Sequence, residues 1–361
     1  MKPLKVGLVG VSRGSGTVAP FSLYPETQIC ALCDLNETRL TDVAREFNVQ
    51  DSHCFSDYDN FLSADMDIVV VGTPIQLHAE QTIKALQAGK HVMSEVTMAY
   101  RLEDCQKIID TVRQTGKIYM MAENNTYLQY MRQWIEWIHQ GKIGQIFYAE
   151  AEYIHNIQNL LIDEKSGETF WRLTRPPIYY CSHSLGPVLL TLQDHIVSAC
   201  CLDTGYSVMP NLGEGCLNME VALFKTARGS VIKVLRSQVA QREPGFHYYS
   251  FYGSKGTLET GREGWADQHD AHGKIFVTGK HPETMNFVAP ISDPLAPPEA
   301  LRGGHGTCEY YMVRDFIDAV ISNKQPVQDA VWGAKVTAPG IIAHESAKSN
   351  GQWLDVPVFE W

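Results

Sequence analysis

The sequence predicts a two-domain α/β protein. Residues 1–123 read as a doubly wound parallel sheet, and residues 124–361 as an α+β domain with a large, mainly antiparallel sheet. Three observations carry this. Apolar strands alternate with amphipathic helices through the first third, which means a parallel sheet covered on both faces. Near Asn124 the pattern changes to long strands in succession. The tail then turns helical.

The elements follow in order. "LKVGLVG" is an apolar strand running into a Gly- and Ser-rich turn. "QICALCD" is the second strand, followed by the helical "NETRLTDVAREF". "MDIVVVG" is the third, and after it "QLHAEQTIKALQAG" places Ala79, Ile83 and Leu86 at helical spacing and stops at Gly89. "HVMSEV" is a strand. "RLEDCQKIIDTVRQTG" puts Leu102, Cys105, Ile109 and Val112 on one helix face, and "IYMMAEN" closes the series. Beyond Asn124 a helix carries Leu128, Met131, Ile135 and Ile138 on one face and ends at Gly141. The strands "QIFYAEAEYIH", "HIVSACCL", "CLNMEVALFKT", "SVIKVLRSQVA" and "HYYSFYGSKGTLET" come next. Helices are expected over about 309–321 and 330–348, after a long Pro/Gly loop at 289–306.

Composition bounds the function. With 361 residues, 44% hydrophobic and 20% charged, the chain can build a large core and suggests two domains. No run of 18 apolar residues exists, so no membrane span is expected. The net charge of -11, without a basic cluster, argues against nucleic acid or an anionic membrane as partner. No signal-peptide pattern precedes the first strand. Cys30 and Cys33 form a C-x-x-C, but within a strand they point to opposite faces, and no second pair completes a tetrahedral site. Reduced cysteines, no metal site and a cytoplasmic location are the expectations.

The opening turn has the start of a dinucleotide fingerprint. Gly10 holds its place, while Ser12 and Ser15 stand where two further glycines belong. A Ser12 hydroxyl can itself donate to phosphate, Arg13 adds positive charge, and Gly14 and Gly16 keep the turn flexible. Asp34 ends the second strand, twenty-four residues after Gly10. There it can accept from ribose hydroxyls and repel a 2′-phosphate, favouring NAD over NADP. Asp34 can equally cap the helix beginning at Asn36.

"VGTPIQLHAEQTIKALQAGKHVMSE" closely resembles the glucose–fructose oxidoreductase / inositol dehydrogenase family (Gfo/Idh/MocA), through Thr73, Pro74, His78, Ala88, Gly89, Lys90, His91, Val92 and Glu95. The resemblance covers essentially the whole chain. It implies a Rossmann domain followed by an open-faced α/β domain, with the nicotinamide between them and Thr73, Pro74, His78 and Glu95 at its end of the pocket. Two departures stand out. Dehydrogenases of the family usually have Lys-Pro after the Glu, where this chain has Val96-Thr97. Their second-domain Asp positions are taken by Tyr179 and Gly186 around His183. Both departures resemble the NAD-dependent glycoside hydrolases of the α-N-acetylgalactosaminidase type, a branch with a similar first loop, Glu-Val, and Tyr-x-x-His-x-Leu-Gly-Pro, here Tyr180, His183, Leu185, Gly186 and Pro187. "AENNTY", "AEYIHN", "WRLT" and "GGHG" also look like that branch.

The chemistry that the resemblance implies needs no carboxylate pair. Oxidation at ring carbon 3 acidifies the proton on the neighbouring carbon. A base removes that proton and the anomeric leaving group departs; water then adds and the hydride returns. Tyr180 and His183, three residues apart, are the candidate acid–base groups, since one helical turn puts both on one side. Tyr179 competes with its neighbour. Val96 and Asn124 are grouped with the cofactor. Glu123, Tyr127, Arg172, Arg175 and His305 are the substrate candidates, the arginines for hydroxyls or an acidic substituent. Strand alternation puts Phe147, Ala149, Ala151 and Tyr153 on one face and assigns Tyr153 to the core. The leading expectation is an NAD-dependent, redox-neutral glycosidase. An ordinary sugar or polyol dehydrogenase and a non-catalytic NAD-binding sensor are the alternatives. The family resemblance implies a homodimer or homotetramer through a large apolar sheet face.

Overall fold

The computed structural model describes residues 2–163, 165–263 and 270–361, so that Met1, where the sequence reading begins, lies outside the described residues. Its contacts divide the chain into two units: Met1–Tyr127 with Pro294–Ala334 and Phe359–Trp361, and Leu128–Asp293 with Lys335–Val358.

In the first unit strands and helices alternate as β1 (Leu4–Val9), α1 (Val11–Val18), β2 (Thr27–Cys33), α2 (Glu37–Phe47), β3 (Cys54–Phe55), α3 (Tyr58–Leu62), β4 (Ile68–Val71), α4 (Ile75–Gln87), β5 (His91–Ser94), α5 (Leu102–Thr115) and β6 (Tyr119–Met121). The six strands are parallel, in the order β3-β2-β1-β4-β5-β6. The order reverses beside β1, the place where such sheets open for a ligand. Chain chemistry explains the element ends. Asn36 caps α2 by accepting from the Arg39 N–H, and Gly116, at φ 63°, terminates α5. Burial pushes the Cys33 thiol up to about 12, so it behaves as an inert core group. The short β3 and α3 lack a periodic run long enough to be read in sequence.

The second unit begins with α6 (Gln129–His139) and β7 (Ile146–Ile154), then α7 (Ser182–Leu192), β8 (Ile196–Asp203), β9 (Glu220–Thr226), β10 (Val231–Ser237), β11 (Phe246–Gly253), β12 (Gly256–Thr260), β13 (Asp270–Val277) and β14 (Met285–Pro290). After them come α8 (Cys308–Ser322), α9 (Ala330–Lys348) and β15 (Leu354–Asp355). Among the described residues the second sheet has nine strands, ordered β14-β13-β12-β11-β7-β10-β9-β8-β15, and it is antiparallel except for the parallel pair β7 and β10. "HYYSFYGSKGTLET" is a hairpin, β11 and β12, rather than one strand.

Three expectations change. The 289–306 stretch is not an uninterrupted loop: β14 runs to Pro290 and a 3-10 helix occupies Pro298–Gly303. The Gly- and Ser-rich turn after β1 is already helix α1. One sheet face carries Glu150, Glu152, Glu259 and their partners Lys233, Arg262 and Lys274 beside exposed Leu223 and Tyr252; it is mixed rather than broadly apolar. Residues paired across strands share a face, so alternation along one strand does not reveal what its neighbours add.

Helix α8 groups with the first unit rather than with 124–361. Its Met312, Val313, Phe316, Ile317 and Val320 join Val18, Phe21 and Leu32 in one core, and Phe316 meets Phe21 edge-on at 6.3 Å. Among the described residues no helix is long and apolar enough to cross a membrane. Phe316→Ala should cost about 3–5 kcal/mol in urea unfolding. A loss under about 1 kcal/mol would show that α8 is not part of this core.

Candidate functional site

Two groups of side chains, one in each unit, hold most of the sequence candidates. In the first unit, β1 delivers the chain to Gly10, which adopts φ 85°. A Cβ there would lie 2.5 Å from the Gly72 carbonyl carbon and the Thr73 nitrogen, so only glycine fits. A Cβ on Gly14 would meet Leu8 Cδ1 at 2.7 Å, and one on Gly72 would meet Gly14 Cα at 2.6 Å. The close helix–strand packing normally given to the third glycine therefore falls to Gly14, not to position 15. Gly14 is thus a packing residue of α1 rather than a source of flexibility. Ser15 Oγ turns back to the Ser12 carbonyl at 3.3 Å.

Asp34 ties the start of α1 to the turn before α2. Its Oδ2 accepts from the Val11 N–H at 2.8 Å, and its Oδ1 from the Asn36 N–H at 2.8 Å. A carboxylate has about four lone-pair sites, so capacity remains for a further donor. Arg39, which sequence reading passed over, donates from Nη1 to Ser12 Oγ. Its signal was its place one turn into the helix after Asp34.

The Thr73–Glu95 segment lies in the same unit. Pro74 precedes α4, and buried His78 lies between the carbonyls of Thr73 and Thr97, each 2.8 Å from a ring nitrogen. Burial pushes this imidazole down in pKa, against the pull of those carbonyls. Thr17 donates its hydroxyl to Glu95, and the Val96 that follows is buried.

Three of the expected substrate residues lie in this unit, Glu123 buried and Tyr127 and His305 half-buried. Glu123 is buried and accepts from the Asn125 N–H at 3.1 Å, while Tyr127 donates to Asp315 at 2.9 Å. His305 stands beside Arg13, with Nε2 3.1 Å from a guanidinium nitrogen. Its Nδ1 lies 2.6 Å from a Glu309 carboxylate oxygen. Asn124 donates to the same Glu309 oxygen at 2.9 Å. Asn124, His305 and Glu309 therefore orient Arg13 at the start of α1.

The second unit builds its group on one row of the sheet. Register aligns His247 of β11 with Tyr153 of β7, Tyr153 with Arg236 of β10, and Arg236 with Glu220 of β9. The next row on this face is Tyr249, Ala151, Val234 and Ala222, all buried. The face is thus apolar until its last row, where four strands turn polar together. Tyr153 stacks on His247 at 3.9 Å, and the Arg236 guanidinium lies over the Tyr153 ring at 3.9 Å. Tyr153 Oη is 3.1 Å from His155 Nδ1. Tyr153 was assigned to the core, but it joins this group because its strand reaches the polar row.

Helix α7 and the turn before it supply the rest. The rings of Tyr180 and His183 meet edge-on at 5.0 Å, and His183 also meets Tyr153 at 5.7 Å. Tyr249 donates to the His183 carbonyl, tying α7 to the sheet. Tyr179 points elsewhere, edge-on to His344 at 5.5 Å. His344 in turn bonds Glu220 at 2.8 Å. Tyr180 rather than Tyr179 therefore shares the surroundings of His183. Arg175 is buried and donates to Gln238 at 2.6 Å, with its guanidinium 4.2 Å from the Tyr180 ring centre. Arg172 is half-buried over Trp171.

Burial pushes the Glu309 carboxyl up, but His305 and Asn124 outweigh it and hold it down to about 2. Its ionised form therefore adds stability that is complete above the ordinary carboxylate pKa, about 4.3, and is lost as pH falls toward 2. Thermal melts should show wild type more stable than Glu309→Gln at pH 6, with the gap narrowing as pH falls from about 4 toward 2. A gap that stays constant across this range would contradict the ionised pairing.

Residues 4–123 match the sequence model of the GFO_IDH_MocA family, described as an oxidoreductase family with an NAD-binding Rossmann fold. The chain is 26% identical over 395 residues to an alpha-N-acetylgalactosaminidase of Shewanella oneidensis, covering 99% of this chain and 85% of that protein. It is similarly 26% identical to a glycosyl hydrolase family 109 protein of Shewanella sp. strain W3-18-1, with the same coverage. Among solved structures, a levoglucosan dehydrogenase in complex with NADH and L-sorbose aligns with TM-score 0.84 at 18% identity, over 99% of this chain and all of that one. An oxidoreductase domain protein from Kribbella flavida aligns with TM-score 0.83 at 20% identity, again over 99% of this chain and 100% of that one. Residues 4–123 are therefore similar to the NAD-binding Rossmann unit of the Gfo/Idh/MocA oxidoreductases.

Proposed function

We propose that this protein is an NAD-dependent, carbohydrate-processing enzyme that cleaves a glycosidic bond without net redox change. The observation that carries the reading is the Tyr180–His183 pair, two proton-transfer groups with ring centres 5.0 Å apart. No Lys follows Glu95 to polarise a substrate hydroxyl, since Val96 stands there. The full-length likeness to the Shewanella alpha-N-acetylgalactosaminidase supports the same choice over a plain dehydrogenase.

The residues around Gly10 fit a dinucleotide. The absence of room for any Cβ at Gly10 keeps the backbone low, and the Gly10 cap position of α1 brings no side-chain cap to its N–H groups. Asp34 would take ribose hydroxyls; Ser12, Arg13 and Arg39 lie near enough to one another to serve the phosphates; Thr73, Pro74, His78, Glu95 and Val96 would form the nicotinamide end. When bound, NAD supplies a reversible hydride acceptor for a sugar C–H.

The chain's own residues handle protons. With a ketone at ring carbon 3, the C2 proton is acidic enough for His183 or Tyr180 to take it. The C2–H electron pair then forms the new double bond as the anomeric C–O bond breaks, and the leaving oxygen gains a proton. Two groups side by side can alternate as base and acid, which is what removal of one proton and delivery of another requires. The reading also places the protein in the cytoplasm as a homo-oligomer.

Three measurements test this. Nitrophenyl glycosides should release nitrophenol with no net rise in NADH absorbance; NADH formed from free sugars or polyols without glycoside cleavage would make it an ordinary dehydrogenase. His183→Ala should lower turnover at least about 100-fold, the scale of lost general acid–base catalysis, while NAD stays bound. Retained turnover removes His183 from the chemistry. Asp34→Ala should weaken NAD binding at least about tenfold in fluorescence titration, equal to about 1.4 kcal/mol. Unchanged affinity would mean that the ribose lies elsewhere.

A further inference from the structure

The polar row of the second sheet and the segment packed on it hold two buried guanidinium groups, with Glu220 as the one carboxylate of that row. Arg175 and Arg236 are each about 1% exposed. Arg236 donates from Nη1 to the Tyr153 carbonyl at 3.1 Å and to the Ser237 carbonyl at 2.5 Å, and Arg175 donates from Nη2 to the Gln238 amide oxygen. All three acceptors are neutral. Neither Nε has a hydrogen-bond partner. Among the described residues neither guanidinium forms a salt bridge. The charge of Glu220 reaches Arg236, but the Glu220 oxygens are held by the Ile178 N–H at 2.7 Å and by His344 at 2.8 Å.

A buried guanidinium without a carboxylate is costly, because water is lost and no counter-charge replaces it. The cations here lean on aromatic faces instead: Arg175 on Tyr180 and Arg236 on Tyr153. Burial pushes Arg175 down to about 9, which still leaves it charged at neutral pH. Cation–π contacts and neutral carbonyls do not cancel two charges. A fold that keeps such a pair next to its proton-transfer groups is arranged for an anion that arrives from outside.

We propose that Arg175 and Arg236 recognise an oxyanion substituent on the sugar, so that the substrate is an acidic carbohydrate carrying a carboxylate, sulfate or phosphate group. This rests on reading Tyr180 and His183 as the sugar site. The two Nε–H groups, which have no partner in the structure, can take charge-assisted hydrogen bonds from it. Discrimination follows directly. A neutral sugar leaves both cations uncompensated, whereas an anionic one pairs them, and sites with buried polar groups reject ligands that leave those groups unpaired.

The test is calorimetric titration of the full-length, NAD-loaded protein with glucuronate, glucose 6-sulfate, glucose 6-phosphate and glucose, and with the matching galactose series. At least one anionic probe should bind tenfold or more tightly than its neutral parent, and which one does so identifies the substituent. The advantage should fall below threefold in both Arg236→Gln and Arg175→Gln. If neither variant folds, the wild-type comparison decides by itself. No anionic probe binding more tightly than its parent overturns the proposal, as does an advantage that survives both substitutions; the buried charge would then serve an enolate formed in the reaction or a Tyr180 phenolate. Failure of glycoside cleavage with a preserved anionic preference sinks the cleavage reading and leaves this one standing.

Discussion

Buried positive charge at the end of an otherwise apolar sheet face is the constraint around which the second unit is organised. Arg236 sits in register with Tyr153 and Glu220, on a face whose adjacent row is Tyr249, Ala151, Val234 and Ala222. The cost of desolvating a guanidinium dictates what surrounds it. Tyr153 offers a ring face and a carbonyl to Arg236; Tyr180 offers a ring face to Arg175; Gln238 fixes the Arg175 fork. Gln238 also donates to the Arg175 and Gly215 carbonyls, locking the loop that carries the arginine. The same aromatic groups that shelter the cations border His183. Charge burial and proton-transfer geometry are therefore one arrangement.

The first unit depends on a different constraint, close backbone approach. Gly10, Gly14 and Gly72 leave α1 near enough to β1 and β4 that a methyl group at any of them collides. That contact puts the first N–H of α1 within reach of Asp34, and it brings Arg13 beside His305. His305 is held by buried Glu309 of α8, and the next turns on the same face of that helix complete the core around Phe21. A segment nearly three hundred residues downstream thus shapes the start of the first helix. The fingerprint departs from its usual spacing because the close helix–strand contact is made at position 14 and not at position 15.

Much of this was legible locally. Asp34, the Thr73–Glu95 segment and the strand–helix alternation stand in sequence as short patterns whose periods follow backbone geometry. Tyr180 and His183 were readable as a pair because three residues span one turn. Arg236 and His247 were not singled out. Yet each ends an inward stripe, Ile232-Val234-Arg236 and Phe251-Tyr249-His247, and Tyr153 ends Ala149-Ala151-Tyr153. A polar or amphipathic residue closing an apolar stripe on several strands is a usable signal, but only once the strands are known to be neighbours. The contacts of His305 with Arg13 and Glu309 were not legible, because a Gly-rich loop carries no local information about where it docks.

The sequence by itself determined the two sheet types, the helices at both ends and the dinucleotide-binding character of residues 4–123, because periods of 2 and 3.6 and short motifs are properties of adjacent residues. Only the tertiary structure decided that Tyr180 rather than Tyr179 joins His183, that α8 belongs with the first sheet, and that two arginines are buried without a salt bridge among the described residues. Those outcomes depend on strand register and on contacts between residues scores of positions apart. A chain read one window at a time carries no record of which strands will lie side by side.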